Sequence, residues 1–235
     1  MPANRGRSHQ RSAVVFFLQS PFVIFPCRPG WYRLPPMQAM ETEVKIRVSD
    51  RKSLEAKLPG LGFTRVTVRA LERNTLYDTP ERTLRNSRQI LRLRQYGNTW
   101  VVTHKRVPGG SDAEGPHKNR VETETVVEDG PVMGQVFEAL GFIPVFVYEK
   151  WRTEWADLQG HCVLDETPLG LYAELEGPSE WIDATAHKLG IDENEFITLS
   201  YGRIFELWRD QSGSQARNFT FEEIPEEFRP ANPAN

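Results

Sequence analysis

Between Met40 and Val48 the chain alternates, with Glu41, Glu43 and Lys45 on one set of positions and Val44, Ile46 and Val48 on the other. A strand sends successive side chains to opposite faces, so this segment has one charged face and one aliphatic face. Glu and Lys are poor strand formers, and strand propensity does not account for them. Two carboxylates spaced two residues apart can hold a divalent cation, and a neighbouring ammonium can hold the anion that the cation brings.

The same pattern recurs. Leu91-Arg92-Leu93-Arg94 alternates guanidiniums with leucines, and a strand over 100–105 ends in Lys105. Arg120, Glu122 and Glu124 share a face, as do Lys150 and Arg152, and Glu174 and Glu176. Any one of these strands is explained as the solvated side of an antiparallel sheet. Solvated faces normally mix Thr, Lys, Glu and Ser, whereas these are sorted into acid pairs and base pairs. A closed antiparallel barrel with a charged interior would gather them all into one tunnel. Uncompensated buried ions are costly, so such interiors belong where ligand charge completes them. Acid pairs imply a hard cation such as Mg²⁺, and base pairs imply a polyanion that Arg can grip with two parallel hydrogen bonds.

The ordered set comprises Glu41-x-Glu43-x-Lys45, Arg92-x-Arg94, Lys105, Glu122-x-Glu124, Lys150-x-Arg152, Asp165 ahead of Leu169-Gly170, and Glu174-x-Glu176. It resembles the CYTH family, named after a class IV adenylyl cyclase and thiamine triphosphatase, over residues 40–208. A lone Glu-x-Glu-x-Lys is weak, but the ordered set is specific. The resemblance implies an α+β fold, an eight-stranded antiparallel β tunnel barrel with a charged interior and a few peripheral helices. Its basic residues would grip a triphosphate while its carboxylates hold Mg²⁺ or Mn²⁺. Carried over by position, Lys45, Arg92, Arg94, Lys105 and Arg152 are implied triphosphate contacts, with Lys150 and Arg120 at further charged tunnel positions. Glu41, Glu43, Asp165, Glu174 and Glu176 are implied metal ligands or the shell behind them. Glu43 and Lys105 are the implied catalytic pair, with Lys105 orienting or deprotonating the nucleophile through a pKa lowered by surrounding cations. Glu122 and Glu124 match a less specific part of the pattern and would neutralise neighbouring cations.

At 235 residues, 39% hydrophobic and a net charge of -3, the chain can bury one substantial core, and its charge argues against bulk nucleic-acid binding. The arginine-rich stretch from Arg65 to Arg94 reads as a solvated loop-and-strand face. Cys27 and Cys162 make no disulfide framework, which fits a reducing, cytoplasmic setting. His161-Cys162 lacks the second ligand pair of a zinc site. His104 falls on the strand face opposite Lys105 and reads as a packing residue, as do Trp151, Trp155, Trp181 and Trp208.

Residues 1–39 read as an extension, with a basic start and a broken apolar run over 12–27 that is too short to span a bilayer. A working start at Met40 or Met37 is expected, with a tunnel domain over 40–210 and a loose polar tail over 211–235. Helices are expected over 50–58, from Pro131 to Gly141, from Pro178 to Gly190 and from Tyr201 to Trp208. Strands are expected over 64–73, 74–77, 89–96, 100–105, 120–127, 145–155, 161–166 and 170–176, with Gly97-Asn98 as a hairpin turn and a Gly, Ser and Pro loop over 108–119.

No Walker loop, Rossmann glycine pattern or Gly-x-Ser-x-Gly elbow occurs, so phosphate would be held by side chains. Three functions stay open at this point. The first is hydrolysis of a triphosphate-bearing small molecule: ATP or another nucleoside triphosphate, thiamine triphosphate, or inorganic triphosphate. The second is conversion of ATP to cyclic AMP and pyrophosphate. The third is a non-catalytic module for polyphosphate or an RNA 5′-triphosphate. No membrane partner is expected, and a monomer or homodimer is.

Overall fold

The computed structural model describes residues 39–110 and 116–228. Eight strands, β1 (Ala39–Val48), β2 (Thr64–Asp78), β3 (Gln89–Tyr96), β4 (Thr99–Arg106), β5 (Lys118–Val127), β6 (Ile143–Ala156), β7 (His161–Thr167) and β8 (Gly170–Glu176), close into one barrel. The order around it is β1-β5-β4-β3-β2-β6-β7-β8, every pairing is antiparallel, and β8 returns to β1. The expected eight-stranded antiparallel barrel is therefore present. Its register sets acid against base: Lys45 lies opposite Glu174, Lys105 opposite Glu122, and Arg152 opposite Asp165.

The period-two alternation puts these charges inside and turns the aliphatic faces outward, so the apolar core lies around the barrel. On one flank Val44, Ile46, Cys162, Leu164, Ala173 and Leu175 pack beneath α1 (Arg51–Lys57) and α4 (Ser179–Leu189). Helix α1 starts at Asp50, whose carboxylate accepts from the Lys52 amide, and buries Leu54. Helix α4 lays Trp181, Ile182, Ala186 and Leu189 on the barrel and stops at Gly190, whose φ of 81° suits glycine. On the opposite flank α3 (Gly130–Ala139), capped by Asp129, sets the Phe137 ring 5.0 Å from Tyr77. A Cβ at Gly130 would lie 2.0 Å from the Trp100 ring, so the start of α3 can approach β4 only as glycine.

Helix α5 (Tyr201–Ser212) packs against β6 and β8 through Tyr201 and Phe205. Its Tyr201 ring reaches Tyr148 and Tyr172, which share strand faces with the interior charges, and Phe205 stacks against Phe146 and Phe219.

The structure departs from the sequence expectation at several points. The strands expected over 64–73 and 74–77 are one strand, β2, carried through by bulges against β6. A short helical turn, α2 (Thr83–Asn86), joins β2 to β3. The loose tail expected over 211–235 is corrected over its described part. Phe219 and Ile224 are fully buried, Phe219 exchanges backbone hydrogen bonds with Val147 and Glu149, and Asn218 Oδ1 accepts from the Val147 amide. Phe219, Phe221, Ile224 and Phe228 are spaced among polar residues with no helical or strand period, so the sequence does not reveal this anchor. The extension expected over 1–39 lies, apart from Ala39, outside the described residues, as does the 111–115 part of the expected loop. Among the described residues no helix is long and apolar enough to cross a membrane.

Phe219→Ala is expected to destabilise the fold by about 3–5 kcal/mol, the usual cost of emptying a buried aromatic site. A denaturant titration checks it, and a loose tail would show almost no change.

Candidate active site

The interior is a continuous lattice of ion pairs. Its centre is Asp165 on β7, which is fully buried. Asp165 accepts from Lys150 Nζ at 2.8 Å, from Arg152 Nε and Nη2 at 2.7 Å each, and from the Tyr201 hydroxyl at 2.7 Å. Glu72 on β2, also fully buried, stands 3.4 Å from Lys150 and 3.8 Å from Arg152 and accepts from Asn74 at 2.9 Å. Burial alone would raise the Glu72 pKa, but Lys150, Arg152, Arg94 and Arg92 outweigh it and hold the carboxyl well below its usual range.

A second group lines β1, β5 and β8. Lys105 donates to both oxygens of Glu41 at 2.8 and 2.7 Å and lies 3.1 Å from Glu122. Lys45 donates to Glu174 at 2.5 Å and sits 4.2 Å above the Tyr201 ring, while Arg152 reaches the other Glu174 oxygen at 2.6 Å. Glu43 pairs with Lys118 at the start of β5. Glu176 lies opposite Glu43, and Arg120 opposite Glu41. Burial pushes the Glu43 pKa up, but Lys118 leads the cations that bring it down to about 2.

The third group is the one that most resembles half a binding site. Arg92 donates to Thr103 at 3.1 Å, Glu124 at 3.3 Å and the Tyr148 hydroxyl at 3.2 Å, and Arg94 lies 3.5 Å from Glu124. Yet Arg92 Nε and Arg94 Nε are buried without a hydrogen-bond acceptor. Buried donors left unpaired are costly, and an anion in the tunnel would satisfy both. Nearby, burial first, then repulsion from Glu124 and Glu41, pushes the Glu122 carboxyl up to about 9 against the opposing pull of Lys105, while burial of Glu124 is outweighed by Arg94, a hydrogen bond from Glu122 and Arg92, which hold it low.

The barrel thus brings Lys45, Arg92, Arg94, Lys105, Lys150 and Arg152 to one interior with Glu41, Glu43, Asp165 and Glu174. Asp165, expected as a metal ligand or the shell behind one, has both oxygens accepting from Lys150, Arg152 and Tyr201, and Arg152 links it to Glu174. One expectation changes: the lowered pKa expected of Lys105 is absent. Burial favours the neutral amine, but Glu41 and Glu122 more than offset it and raise the pKa above the usual lysine value. Sequence spacing shows the neighbouring cations but not the acids that meet Lys105, Glu122 across the register and Glu41 from β1.

Several interior residues escaped the sequence. Glu72 and Asn74 carry the same alternating signal, but it was cut by dividing β2 at Asn74. Lys118 falls in the loop expected over 108–119, where no strand face is defined, and the structure makes it the first residue of β5. Ser200-Tyr201 and Tyr148-Glu149-Lys150 resemble segments of the family, but the sequence does not place either tyrosine in the interior, because aromatic residues inside a charged barrel look like core.

Glu41, Glu43, Glu174 and Glu176 offer hard oxygen donors, the chemistry that Mg²⁺ or Mn²⁺ takes. Among the described residues no three Asp, Glu, His or Cys side chains converge as a ready cation site. The donor set fits a cation that completes its shell with phosphate oxygens and water.

Acid and base limbs of stability follow with opposite signs. Glu43 and Glu72 titrate lower in the fold than their ordinary 4.5, so their contribution is complete above about pH 4.5 and is lost as pH falls toward 2. Glu122 titrates near 9 in the fold, so folding takes up a proton between about 4.5 and 9 and stability declines as pH rises through that window. Denaturant midpoints are therefore expected to fall from pH 5 to pH 3. Glu122→Gln should gain on the wild type between pH 5 and pH 8, and a constant difference would contradict this assignment.

The chain matches the CYTH domain model over residues 39–200. It is 28% identical over 138 residues to a Methanocaldococcus jannaschii protein named "Putative adenylate cyclase", covering 58% of this chain and 76% of that one. Its fold is similar to that of a Vibrio parahaemolyticus structure described as a "putative adenylate cyclase" (TM-score 0.64, 20% identity, 72% of this chain and 99% of that one). It is also similar to a Hippeastrum structure described as a "putative adenylyl cyclase" with a dominant triphosphatase activity (TM-score 0.54, 18% identity, 72% and 96%). With the charged barrel in place and more than half its length matched, the chain belongs to the CYTH domain family.

Proposed function

We propose that the protein is a divalent-metal-dependent enzyme that binds a triphosphate in its charged tunnel and hydrolyses it, with nucleoside, thiamine or inorganic triphosphate as the substrate. The observation that carries this reading is the pair of buried, acceptor-free donors, Arg92 Nε and Arg94 Nε, in an interior crossed by Lys45, Lys105, Lys150 and Arg152. Asp165 and Glu72 hold Lys150 and Arg152 in place, so these cations meet the phosphate chain already oriented. Preorganised donors of this kind stabilise the charge that moves during phosphoryl transfer without having to reorganise.

Glu41, Glu43, Glu174 and Glu176 are the residues that would hold Mg²⁺ or Mn²⁺. When bound, the cation polarises phosphoryl oxygens and neutralises developing charge. Glu43, with a pKa of about 2, is a weak base, which suits it to holding a cation better than to taking a proton. Lys105 stays charged between Glu41 and Glu122, so in this reading it donates to a phosphate oxygen and orients the nucleophile. We favour hydrolysis because a tunnel that grips the phosphate chain commits less to the organic end of its substrate.

A second reading, formation of cyclic AMP and pyrophosphate from ATP, is favoured by the name of the 28% identical archaeal relative. The two differ in which phosphorus meets the nucleophile. The free, buried Cys162 fits a reducing compartment, in our reading the cytoplasm.

One assay tests the reading. ATP, thiamine triphosphate and inorganic triphosphate are supplied separately with Mg²⁺ or Mn²⁺, and phosphate, pyrophosphate and cyclic AMP are resolved chromatographically. Phosphate without cyclic AMP is expected. Cyclic AMP with pyrophosphate would establish the second reading, and binding without turnover would leave a docking module. Lys105→Met should lower kcat by about 100-fold, in the range for a lost transition-state donor. Full turnover with only weaker binding would refute its role.

A further inference from the structure

In this structure the candidate metal carboxylates are held by ammonium groups of the protein itself. Lys105 spans Glu41 and Glu122, Lys45 spans Glu174 and the Tyr201 ring, and Lys118 pairs with Glu43. The first two lysines lie within their strands and each has a second anchor. Lys118 is different. It is the first residue of β5, directly after His117, which is tied to Asp183 of α4 at 2.7 Å. Its side chain is 19% exposed, against 14% for Lys105 and 3% for Lys45. It thus combines a strong hold on Glu43 with a route by which the ammonium can swing off.

Glu43 is where cation binding would be decided. Glu176 lies across from it in the register, and Glu174 is close enough to repel it. Carboxylates that crowd together favour a shared cation, and Lys118 supplies one from within. A divalent ion arriving alone must displace that ammonium into water. An ion arriving with a phosphate chain gives the ammonium an anion to move to, so Glu43 is released without stranding a charge. Binding of either ligand then favours the other by the same factor.

We propose that Lys118 is an internal counter-ion for Glu43 that makes divalent-cation binding depend on the presence of the phosphate chain. This rests on the reading of Glu43 as a cation ligand. The expected behaviour is weak Mn²⁺ binding by the free protein and tighter binding once a triphosphate occupies the tunnel. Lys118 is a positioning residue in this scheme, since it acts on the cation through Glu43.

The test is a Mn²⁺ titration of the full chain, read as free Mn²⁺ by electron paramagnetic resonance. It is run without anion and with a non-hydrolysable imido analogue of inorganic triphosphate, after correction for chelation by the analogue itself. Lys118→Met and Lys118→Gln are expected to bind Mn²⁺ alone at least about tenfold more tightly than the wild type, the scale set by removing one unit charge from contact with the ligand carboxylate. In both, the gain from the analogue should shrink. Lys118→Arg should behave as the wild type, and thermal melts confirm that each variant is folded. Unchanged or weaker Mn²⁺ binding by both neutral variants would overturn the proposal, even where Glu43→Gln abolishes binding and so upholds the cation site. Absence of Mn²⁺ binding by the wild type under both conditions would overturn the cation reading of Glu43 and this inference together.

Discussion

The interior of this barrel is stable only because its charges compensate one another across the strand register. A buried ion without a partner is severely destabilising, and here Glu72 and Asp165 are fully buried beside Lys150 and Arg152, which are almost so. The register supplies partners, Lys45 against Glu174 and Arg152 against Asp165, and Glu41 reaches Lys105 at 2.7 Å. A slip of one residue on any strand would turn its charges outward into the aliphatic layer and its leucines and valines inward. Electrostatic pairing and apolar packing therefore select the same register, and that agreement makes a polar tunnel compatible with a unique fold.

This arrangement also fixes where the rest of the molecule must go. With the barrel's inside given to charge, the hydrophobic effect has to act on its outside, and α1, α3 and α4 cover the exposed aliphatic faces. Helix α5 has another task. Its Tyr201 enters the polar interior, and the hydroxyl donates to Asp165 while the ring lies 4.2 Å from Lys45. One side chain thus links the aromatic cluster of α5, β6 and β8 to the ion-pair lattice. The segment around Phe219 backs this helix and ties it to β6.

The barrel was legible in the sequence because strands report their two faces with period two, and charged residues at alternate positions are conspicuous in strands. Arg92 and Arg94, or Glu174 and Glu176, announce themselves in that way. What stayed hidden depended on pairing across strands. Lys105 looked crowded by cations from its own neighbourhood in sequence, whereas β5 and β1 place Glu122 and Glu41 against it and keep it charged. The sequence leaves Asp165 as a metal ligand or the shell behind one, and only the pairing shows that β6 brings Lys150 and Arg152 onto its oxygens. Lys118 was invisible because its strand begins two residues earlier than the hydrophobic pattern suggests. Composition and periodicity say which face a residue occupies, and the register decides what it meets there.

The central claim is that the buried guanidinium donors of Arg92 and Arg94 await an anion. The most direct measurement is a calorimetric titration of inorganic triphosphate into the metal-free protein and into the Arg92→Met/Arg94→Met double variant, with thermal melts of both. Binding by the wild type, weakened at least about 100-fold in a double variant that remains folded, is the expected result on the scale of two lost charge-assisted contacts. Equal affinity in the two proteins would contradict the account, since the phosphate chain would then be held elsewhere.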